Sequence, residues 1–209
     1  MIDPTKFLLF IGVSWTLILA PGPDMLYVIT RGVTHGRRAG MLSAIGVICG
    51  ILVHTTAAAF GLSLVLQTSA LAFLVVKYVG AIYLIYLGVK SWREKSTFHV
   101  QTSSSPMSVR KIFWQGVLSN VLNPKIAIFF LAFLPQFVEK GSTPIPVQMV
   151  FLGLTFACFG LCFLLTVGYS SGTIGSLLTR QPRYTEFLQR LAGGILIGLG
   201  VRLALTERR

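Results

Sequence analysis

The chain has 209 residues, of which 54% are hydrophobic and only 11% are charged, and its mean hydropathy is +0.76. A soluble domain has about 25% charged residues, so this chain has too little polar surface to be a soluble protein. Its net charge of +12 would suggest nucleic acid, but the basic residues lie mostly in short links between apolar runs. We therefore predict an all-α integral membrane protein that does not bind nucleic acid.

Six apolar segments are long enough to cross a bilayer, because a helix needs about 20 residues to span the hydrocarbon core. They cover residues 7–29, 43–66, 70–90, 112–134, 146–169 and 187–205. Transmembrane β-strands would be about half as long and would alternate polar with apolar residues, which these segments do not. The basic flank before residue 7 is thin, so we interpret residues 7–29 as a retained first span and not as a signal peptide.

The links between these segments differ in charge. Links one, three and five (residues 30–42, 91–111 and 170–186) are basic, and with their flanks they carry Arg31, Arg37, Arg38, Lys90, Arg93, Lys95, Arg110, Lys111, Arg180, Arg183 and Arg190. The opposite side carries Lys6, Lys140, Arg202, Arg208 and Arg209. The positive-inside rule therefore predicts that both termini face outward. Three glycines are expected to form the turn of the first link: Gly32, Gly36 and Gly40.

Two of the spans contain proline next to a charged residue. The first span contains Pro21-Gly22-Pro23-Asp24, and the fourth contains Asn123-Pro124-Lys125. Proline removes a backbone donor and clashes with the preceding turn, so each motif should break its helix. In lipid, a broken helix is tolerated only where protein or a watery cavity satisfies the freed backbone groups. A charge beside a break in both halves of one chain points to a transport site.

The two halves of the chain have the same layout. Each has a broken span, then a glycine-containing span, then a span with glycines near its end. Repeat 1 covers about residues 7–90 and repeat 2 about 112–205, joined by the basic cytoplasmic link 91–111. Three spans per repeat is an odd number, so the second copy must be inserted upside down. We predict one transport domain, residues 1–209, with six transmembrane helices as two inverted three-helix repeats and broken helices 1 and 4.

The charges at the breaks allow more than one role. Asp24 is the only carboxylate inside a predicted span, and such a charge costs about 2.5–3.5 kcal/mol on insertion scales, so function is favoured over helix capping. Lys125 follows a proline, where a cation opposes the helix dipole unless an anion binds. It either helps the half-helix amides to hold an amino acid's α-carboxylate or forms an ion pair with Asp24. Asn123 is predicted mainly to cap the second half-helix.

Other residues inside the spans are given structural roles. His54 could relay protons, but a satisfied interior histidine is favoured, and Lys77 is expected to snorkel to the interface. The three cysteines are interpreted as small core residues: Cys49, Cys158 and Cys162. Gly-x-x-x-Gly motifs begin at residues 46, 168 and 194, and packing within the monomer is favoured over a homodimer, which is left open.

Several of these features occur together in a known order. They are Leu19-Ala20-Pro21-Gly22-Pro23, the basic link from Arg31-Gly32 to Gly40, the Gly46/Gly50 span, Tyr83-Leu84-Ile85-Tyr86-Leu87-Gly88 and Leu122-Asn123-Pro124-Lys125. The chain thereby resembles the lysine exporter family, and more closely its homoserine/threonine exporter branch, from residue 7 to about 200. The resemblance implies export of amino acids or derivatives, such as homoserine, threonine or homoserine lactone, across the bacterial inner membrane. An ion gradient would drive export, with H⁺ as the expected coupling ion.

The predicted substrate- and ion-binding residues are those of the two breaks: Pro21, Gly22, Pro23, Asp24, Asn123, Pro124 and Lys125. No catalytic residue, metal ligand or cofactor is predicted, because the chain has no His-Glu-x-x-His, Gly-x-Ser-x-Gly or Cys-x-x-Cys motif. The expected partners of this non-enzymatic transporter are an amino-acid substrate, a coupling ion and the lipid bilayer. The alternatives are an exporter of another small metabolite or metal ion and a membrane-embedded channel or structural protein.

Overall fold

The computed structural model describes residues 2–62, 70–93, 107–139, 143–174 and 182–205. Within these ranges the regular elements are all helical. The helices are α1 (Pro4–Leu19), α2 (Pro23–His35), α3 (Arg37–Thr56), α4 (Ala70–Arg93), α5 (Val109–Val121), α6 (Pro124–Ile128), α7 (Ile145–Tyr169) and α8 (Pro182–Leu205). A π-helical turn, Ala57–Leu62, extends α3. A π-helical turn, Phe129–Phe133, and a 3₁₀ turn, Leu134–Phe137, extend α6.

Three helical segments are long and apolar enough to cross a membrane: Arg37–Gly61, Leu74–Arg93 and Ile145–Tyr169. Two bent pairs raise the number to five if each pair counts as one span. The first pair is α1 with α2, bent by 48°, and the second is α5 with Pro124–Phe137, bent by 47°. The predicted breaks in the first and fourth spans are therefore confirmed. The sixth predicted segment, 187–205, lies in the 24-residue helix α8, and the number six stays a prediction.

Local chemistry explains where α1 begins and ends. The side chain of Asp3 accepts hydrogen bonds from two N–H groups of the first turn, at 2.9 and 3.1 Å. The bond from the N–H of Lys6 lowers the pKa of the Asp3 carboxyl below its usual value. At the other end, Pro21 disfavours helical backbone in the residue before it, and Ala20 is extended (φ −61°, ψ 117°). The helix therefore ends at Leu19, two residues before the first proline.

The helices that follow the two breaks begin in the same way. Pro23 is the first residue of α2 and Pro124 is the first residue of α6, where the missing N–H breaks no helical hydrogen bond. At the second break, the Oδ1 atom of Asn123 accepts the backbone N–H of Lys125 at 3.0 Å. The predicted capping role of Asn123 is confirmed.

The first link is much shorter than predicted. We expected residues 30–42 to form a turn rich in glycine, but α2 and α3 are separated by Gly36 alone. Gly36 has φ +85°, a conformation that favours glycine. Gly32 and Gly40 lie inside helices, where they allow close contact. A Cβ atom at Gly40 would lie 2.7 Å from the backbone oxygen of Gly168.

Helix α3 is central, because it packs against α2, α5 and α7, while α4 packs mainly against α8. Glycine brings these helices together. A Cβ atom at Gly46 of α3 would lie 3.3 Å from Cα of Gly116 in α5. Cβ atoms at Gly88 of α4 and Gly193 of α8 would each lie 2.6 Å from the other residue's backbone oxygen. Close packing of this kind drives helix association in lipid, where the hydrophobic effect between helices is lost.

Predictions for other residues inside the spans have mixed outcomes. Three motif glycines pack within the chain as expected: Gly46, Gly50 and Gly168. The prediction that all three cysteines are core residues is wrong, because Cys158 and Cys162 are exposed on α7. The expectation that Lys77 snorkels is also wrong. Its side chain is only 7% exposed, and its Nζ atom lies 4.8 Å from the ring centroid of Tyr78.

Phenylalanine fills the core beside the second break. The cluster joins α1, the turns after α6, and α7, and its members are Phe10, Phe129, Phe130, Phe133, Phe137 and Phe156. The ring centroid of Phe129 lies 5.0 Å from that of Phe156 and 6.3 Å from that of Phe10. Aromatic pairs at such distances add to the packing energy. The cluster thus holds the second half of the fourth span against the first and fifth spans.

Candidate functional site

Asp24 lies in the first turn of α2 and points to the end of α5. Its Oδ2 atom accepts hydrogen bonds from the Nδ2 atoms of Asn120 and Asn123, both at 2.8 Å. The Oγ atom of Ser119 donates to Oδ1 at 3.5 Å. The residue is only 9% exposed. Amide donors and the positive end of the α2 dipole therefore stabilise a buried carboxylate.

Lys125 lies in the first turn of α6 and points to the end of α1. Its Nζ atom donates to the backbone oxygens of Leu17 at 3.2 Å and Ala20 at 3.0 Å. Carbonyl groups in the last turn of a helix have no partner within that helix. A cation at this position is also favourable for the dipole of α1. Lys125 therefore caps α1, and this contact offsets its unfavourable position at the start of α6.

The two breaks stabilise each other through these contacts. The charged residue after each proline reaches the last turn of the opposite broken helix. We call this set the paired-break site, and its members are Asp24, Lys125, Leu17, Ala20, Ser119, Asn120 and Asn123. Within this site, Asp24 and Lys125 bond to separate groups and do not form the ion pair considered from the sequence. Both nevertheless line the same cavity.

The backbone amides after the second break are already bonded. The N–H of Lys125 donates to Oδ1 of Asn123, and the N–H groups of Ile126 and Ala127 donate to its backbone oxygen at 3.2 and 3.0 Å. These amides therefore already have partners in the structure, and their role in holding a carboxylate stays a prediction. The Nζ atom of Lys125 remains as the cationic group at the cavity.

Gly22 leaves the space that Lys125 occupies. Its backbone is extended, with φ −162°, so its conformation does not require glycine. A Cβ atom there would lie 2.8 Å from Nζ of Lys125 and 3.3 Å from Cε. Glycine at position 22 thus leaves room for the lysine to reach α1, and a Cβ atom there would require the end of the lysine side chain to shift.

The cavity between the two charges is small. Its apolar walls come from α1, α2, α3, α6 and α7 and include Leu17, Met25, Val47, Ile51, Phe156 and Leu164. Its volume is ≈ 30 Å³. A cavity of this size holds about two water molecules. The cavity is therefore too small to hold an amino acid in this conformation.

Every predicted site residue lies at one of the two breaks, and Asp24 and Lys125 supply the charges of the cavity. Pro21, Pro23 and Pro124 shape the breaks, Gly22 makes room for Lys125, and Asn123 joins both helices. Ser119 and Asn120 also belong to the site but were not predicted from the sequence. Their signal was a polar helix face, because residues 119, 120 and 123 lie close together just before the break in an apolar span. The favoured interpretation of His54 is confirmed, since its Nε2 atom lies 3.1 Å from the backbone oxygen of Asn120.

The fold and the site define a helical membrane protein of several spans, in which two broken helices meet at a buried, charged cavity. Residues 15–207 match the family described as LysE type translocator, and the chain belongs to that family. The resemblance noted from the sequence motifs is therefore confirmed. No solved structure matches the chain.

Three relatives match nearly the whole chain. The membrane protein YrhP of Bacillus subtilis is 31% identical over 210 residues, which cover 96% of this chain and 99% of YrhP. The leucine efflux protein of Enterobacter sp. strain 638 is 26% identical and covers 95% of both chains. The homoserine/homoserine lactone efflux protein of Salmonella typhimurium is 28% identical, covering 91% of this chain and 92% of its own.

Proposed function

We propose that this translocator is a secondary transporter of the bacterial inner membrane that exports amino acids or their derivatives in exchange for H⁺. The observation that carries the proposal is the placement of Asp24 and Lys125 at one buried cavity between two broken helices. Broken helices near the membrane midplane are the usual binding sites of secondary transporters. The efflux proteins of Enterobacter and Salmonella support the substrate class.

The chemistry of the paired-break site suits a zwitterion. A substrate carboxylate would accept hydrogen bonds from the Nζ atom of Lys125 in place of the backbone oxygens of Leu17 and Ala20. The ammonium group, or the coupling proton, would meet Asp24, which would then exchange its contacts to α5. The side chain of the substrate would lie against apolar residues such as Val47, Ile51 and Leu164. Substrate and proton act on the same two charges, so their binding is coupled.

We further propose that the chain forms six spans in two inverted repeats. Asp24 and Lys125 occupy the second position of α2 and α6 and make equivalent contacts to opposite breaks. Glycine also joins the third and sixth spans, where Gly88 and Gly193 approach each other. A twofold axis in the membrane plane would relate the contacts at the two breaks.

In this arrangement both termini face outward. Lys6 and Glu139 form an ion pair of 2.5 Å near the start of α7. At the opposite end of that helix, Arg37 donates to the hydroxyl of Tyr169 at 3.2 Å. The end that holds Arg37 is next to the basic first link, which the positive-inside rule assigns to the cytoplasm.

Cysteine labelling tests this orientation. In a chain without its native cysteines, Ser69→Cys and Gly141→Cys should react with an impermeant thiol reagent added outside, and Ser104→Cys should not. These three positions lie outside the described residues, in the links between predicted spans. Labelling of Ser104→Cys in intact cells would show that the orientation is the opposite of the one proposed.

Transport itself is tested in inside-out vesicles that contain the protein. A growth screen first identifies the amino acids to whose toxic levels overexpressing cells become resistant. The same amino acids, labelled, should accumulate in energised vesicles, and a protonophore should abolish the accumulation. Accumulation of only other metabolites or metal ions would favour another kind of exporter. Passive equilibration without accumulation would favour a channel, and no movement of any solute would favour a structural role.

Substitution of Gly22 tests the position of Lys125. Gly22→Ala should move the Nζ atom away from the carbonyls of α1 and lower the export rate about tenfold, since hydrogen bonds to charged groups contribute roughly 1.5–3 kcal/mol. Gly12→Ala is the matched control, because Gly12 lies in α1 and has no atom within 4 Å of its Cβ position. Rates are compared per amount of folded protein. Equal export by the two variants would contradict the role given to Gly22.

A further inference from the structure

His54 contacts the paired-break site from the central helix α3. Its Nε2 atom lies 3.1 Å from the backbone oxygen of Asn120, and a carbonyl only accepts, so Nε2 carries the hydrogen. The same oxygen accepts the N–H of Asn123 at 2.9 Å in the turn that ends α5. On the other side, the His54 ring packs on Phe130, with centroids 5.9 Å apart. The imidazole thus fixes the position of the backbone turn that carries the side chain of Asn120.

Gly50 lies one turn before His54 on the same face of α3. A Cβ atom at Gly50 would lie 2.7 Å from Cβ of Asn120, 2.8 Å from its Oδ1 and 2.9 Å from the backbone oxygen of Val117. The side chain of Asn120 is fully buried, and its Oδ1 has no hydrogen-bond partner among the residues that the structure describes. The absence of a side chain at Gly50 therefore lets Asn120 lie directly on α3, where only its Nδ2 is bonded.

We propose that Gly50 and His54 form a seat for Asn120 and are positioning residues for Asp24. Gly50 gives the asparagine side chain its place, and His54 fixes the backbone carbonyl. Together they aim Nδ2 at the carboxylate of Asp24, which it reaches at 2.8 Å. This inference rests on the proposed function, and it adds two residues of α3 to a site that the sequence placed only in the two broken helices.

The seat differs from a proton relay through His54. Between His54 and Asp24 lies the amide of Asn120, which does not titrate. The charged group that shares the cavity with Asp24 is Lys125 of α6. α7 faces that cavity with Phe156, Gly160 and Leu164, which carry no titratable group. A seat needs a hydrogen-bond donor at position 54, whereas a relay needs an imidazole.

Two substitutions separate these roles in the vesicle assay. His54→Ala removes one of the two donors to the backbone oxygen of Asn120 and should lower the export rate by up to about tenfold, the effect of losing one hydrogen bond. His54→Gln keeps an N–H donor, so it should restore most of the rate with the pH profile of the wild type. Thr56→Ala is the control, because this residue of α3 is exposed and its hydroxyl donates to the backbone oxygen of Leu52 in the same helix. It should export like the wild type.

A second measurement does not depend on transport. His54→Ala and Asn120→Ala should each lower the Tm of the purified protein, and their combined effect should be smaller than the sum, because the two residues act as one unit. Wild-type export by His54→Ala, a His54→Gln variant as inactive as His54→Ala, or additive changes in Tm would each overturn the seat. Failure of the wild type to export any amino acid would instead overturn the proposed function, and the Tm comparison would still decide on the seat.

Discussion

Asp24→Asn is expected to fold normally and to lose gradient-driven export about 100-fold or more, the scale on which a positioned proton-transfer group contributes to a rate. Folding should survive because both amide donors reach the same oxygen, Oδ2. An asparagine oxygen in that place accepts both bonds, and its NH₂ group then faces the Ser119 hydroxyl, which can accept. The variant removes the negative charge and leaves the hydrogen bonds. Counterflow of labelled against unlabelled substrate, with no gradient, measures what binding remains.

The control for this experiment is Asp24→Ala. It leaves the Nδ2 groups of Asn120 and Asn123 without their acceptor, which costs about 1–3 kcal/mol for each buried donor. We expect this variant to lose both stability and export, so that only Asp24→Asn separates charge from structure. A folded Asp24→Asn protein that exports at the wild-type rate with the wild-type pH dependence would refute the coupling role of Asp24.

Lys125→Met is expected to raise KM for an exported amino acid about tenfold or more, because it removes charge-assisted hydrogen bonds that contribute roughly 1.5–3 kcal/mol. Methionine keeps the length of the side chain but cannot donate. The amide of the same amino acid has no carboxylate, so its KM should change little. The ratio of the two KM values is therefore the measured quantity, and it does not depend on expression level.

Lys77→Met provides the comparison for this ratio. Lys77 is also a buried lysine, but it lies in α4 and does not line the cavity. Its substitution should leave the ratio of amino-acid to amide KM unchanged. If Lys125→Met raised both KM values equally, the lysine would serve the shape of the site and not the recognition of a carboxylate.

The sequence predicted the breaks well because their cause is local. Proline forbids the helical hydrogen bond and restricts its neighbour wherever it occurs, so residues 21–23 and 123–124 could be placed without knowledge of the fold. The cost of a charge in lipid likewise singled out Asp24 and Lys125. The family resemblance rested on the same motifs, and it was confirmed for nearly the whole chain.

The partners of the two charges could not be predicted in the same way. Asp24 contacts residues 95–99 positions away along the chain, and Lys125 contacts residues 105 and 108 positions away. Sequence alone gave no distance between the breaks, so an ion pair and separate partners could not be distinguished. The prediction for the first link was wrong for a related reason. Gly32 and Gly40 look like turn residues, but the surface of α7 decides that they are contact residues.

Because Gly36 alone separates α2 from α3, we expect little movement of these two helices relative to each other. Gly32 and Gly40 flank Gly36, and Ser171 and Gly168 of the segment around the end of α7 press against them. Because of these close contacts, we expect α2, α3 and the segment around the end of α7 to move as one rigid body. We expect bending at the breaks before Pro23 and Pro124, where the described helices already bend by 48° and 47° and where the two charged side chains lie. On the proposed mechanism, a substrate or proton that replaced the hydrogen bonds of Asp24 and Lys125 would also free the two breaks to bend, so binding and movement would depend on the same few residues.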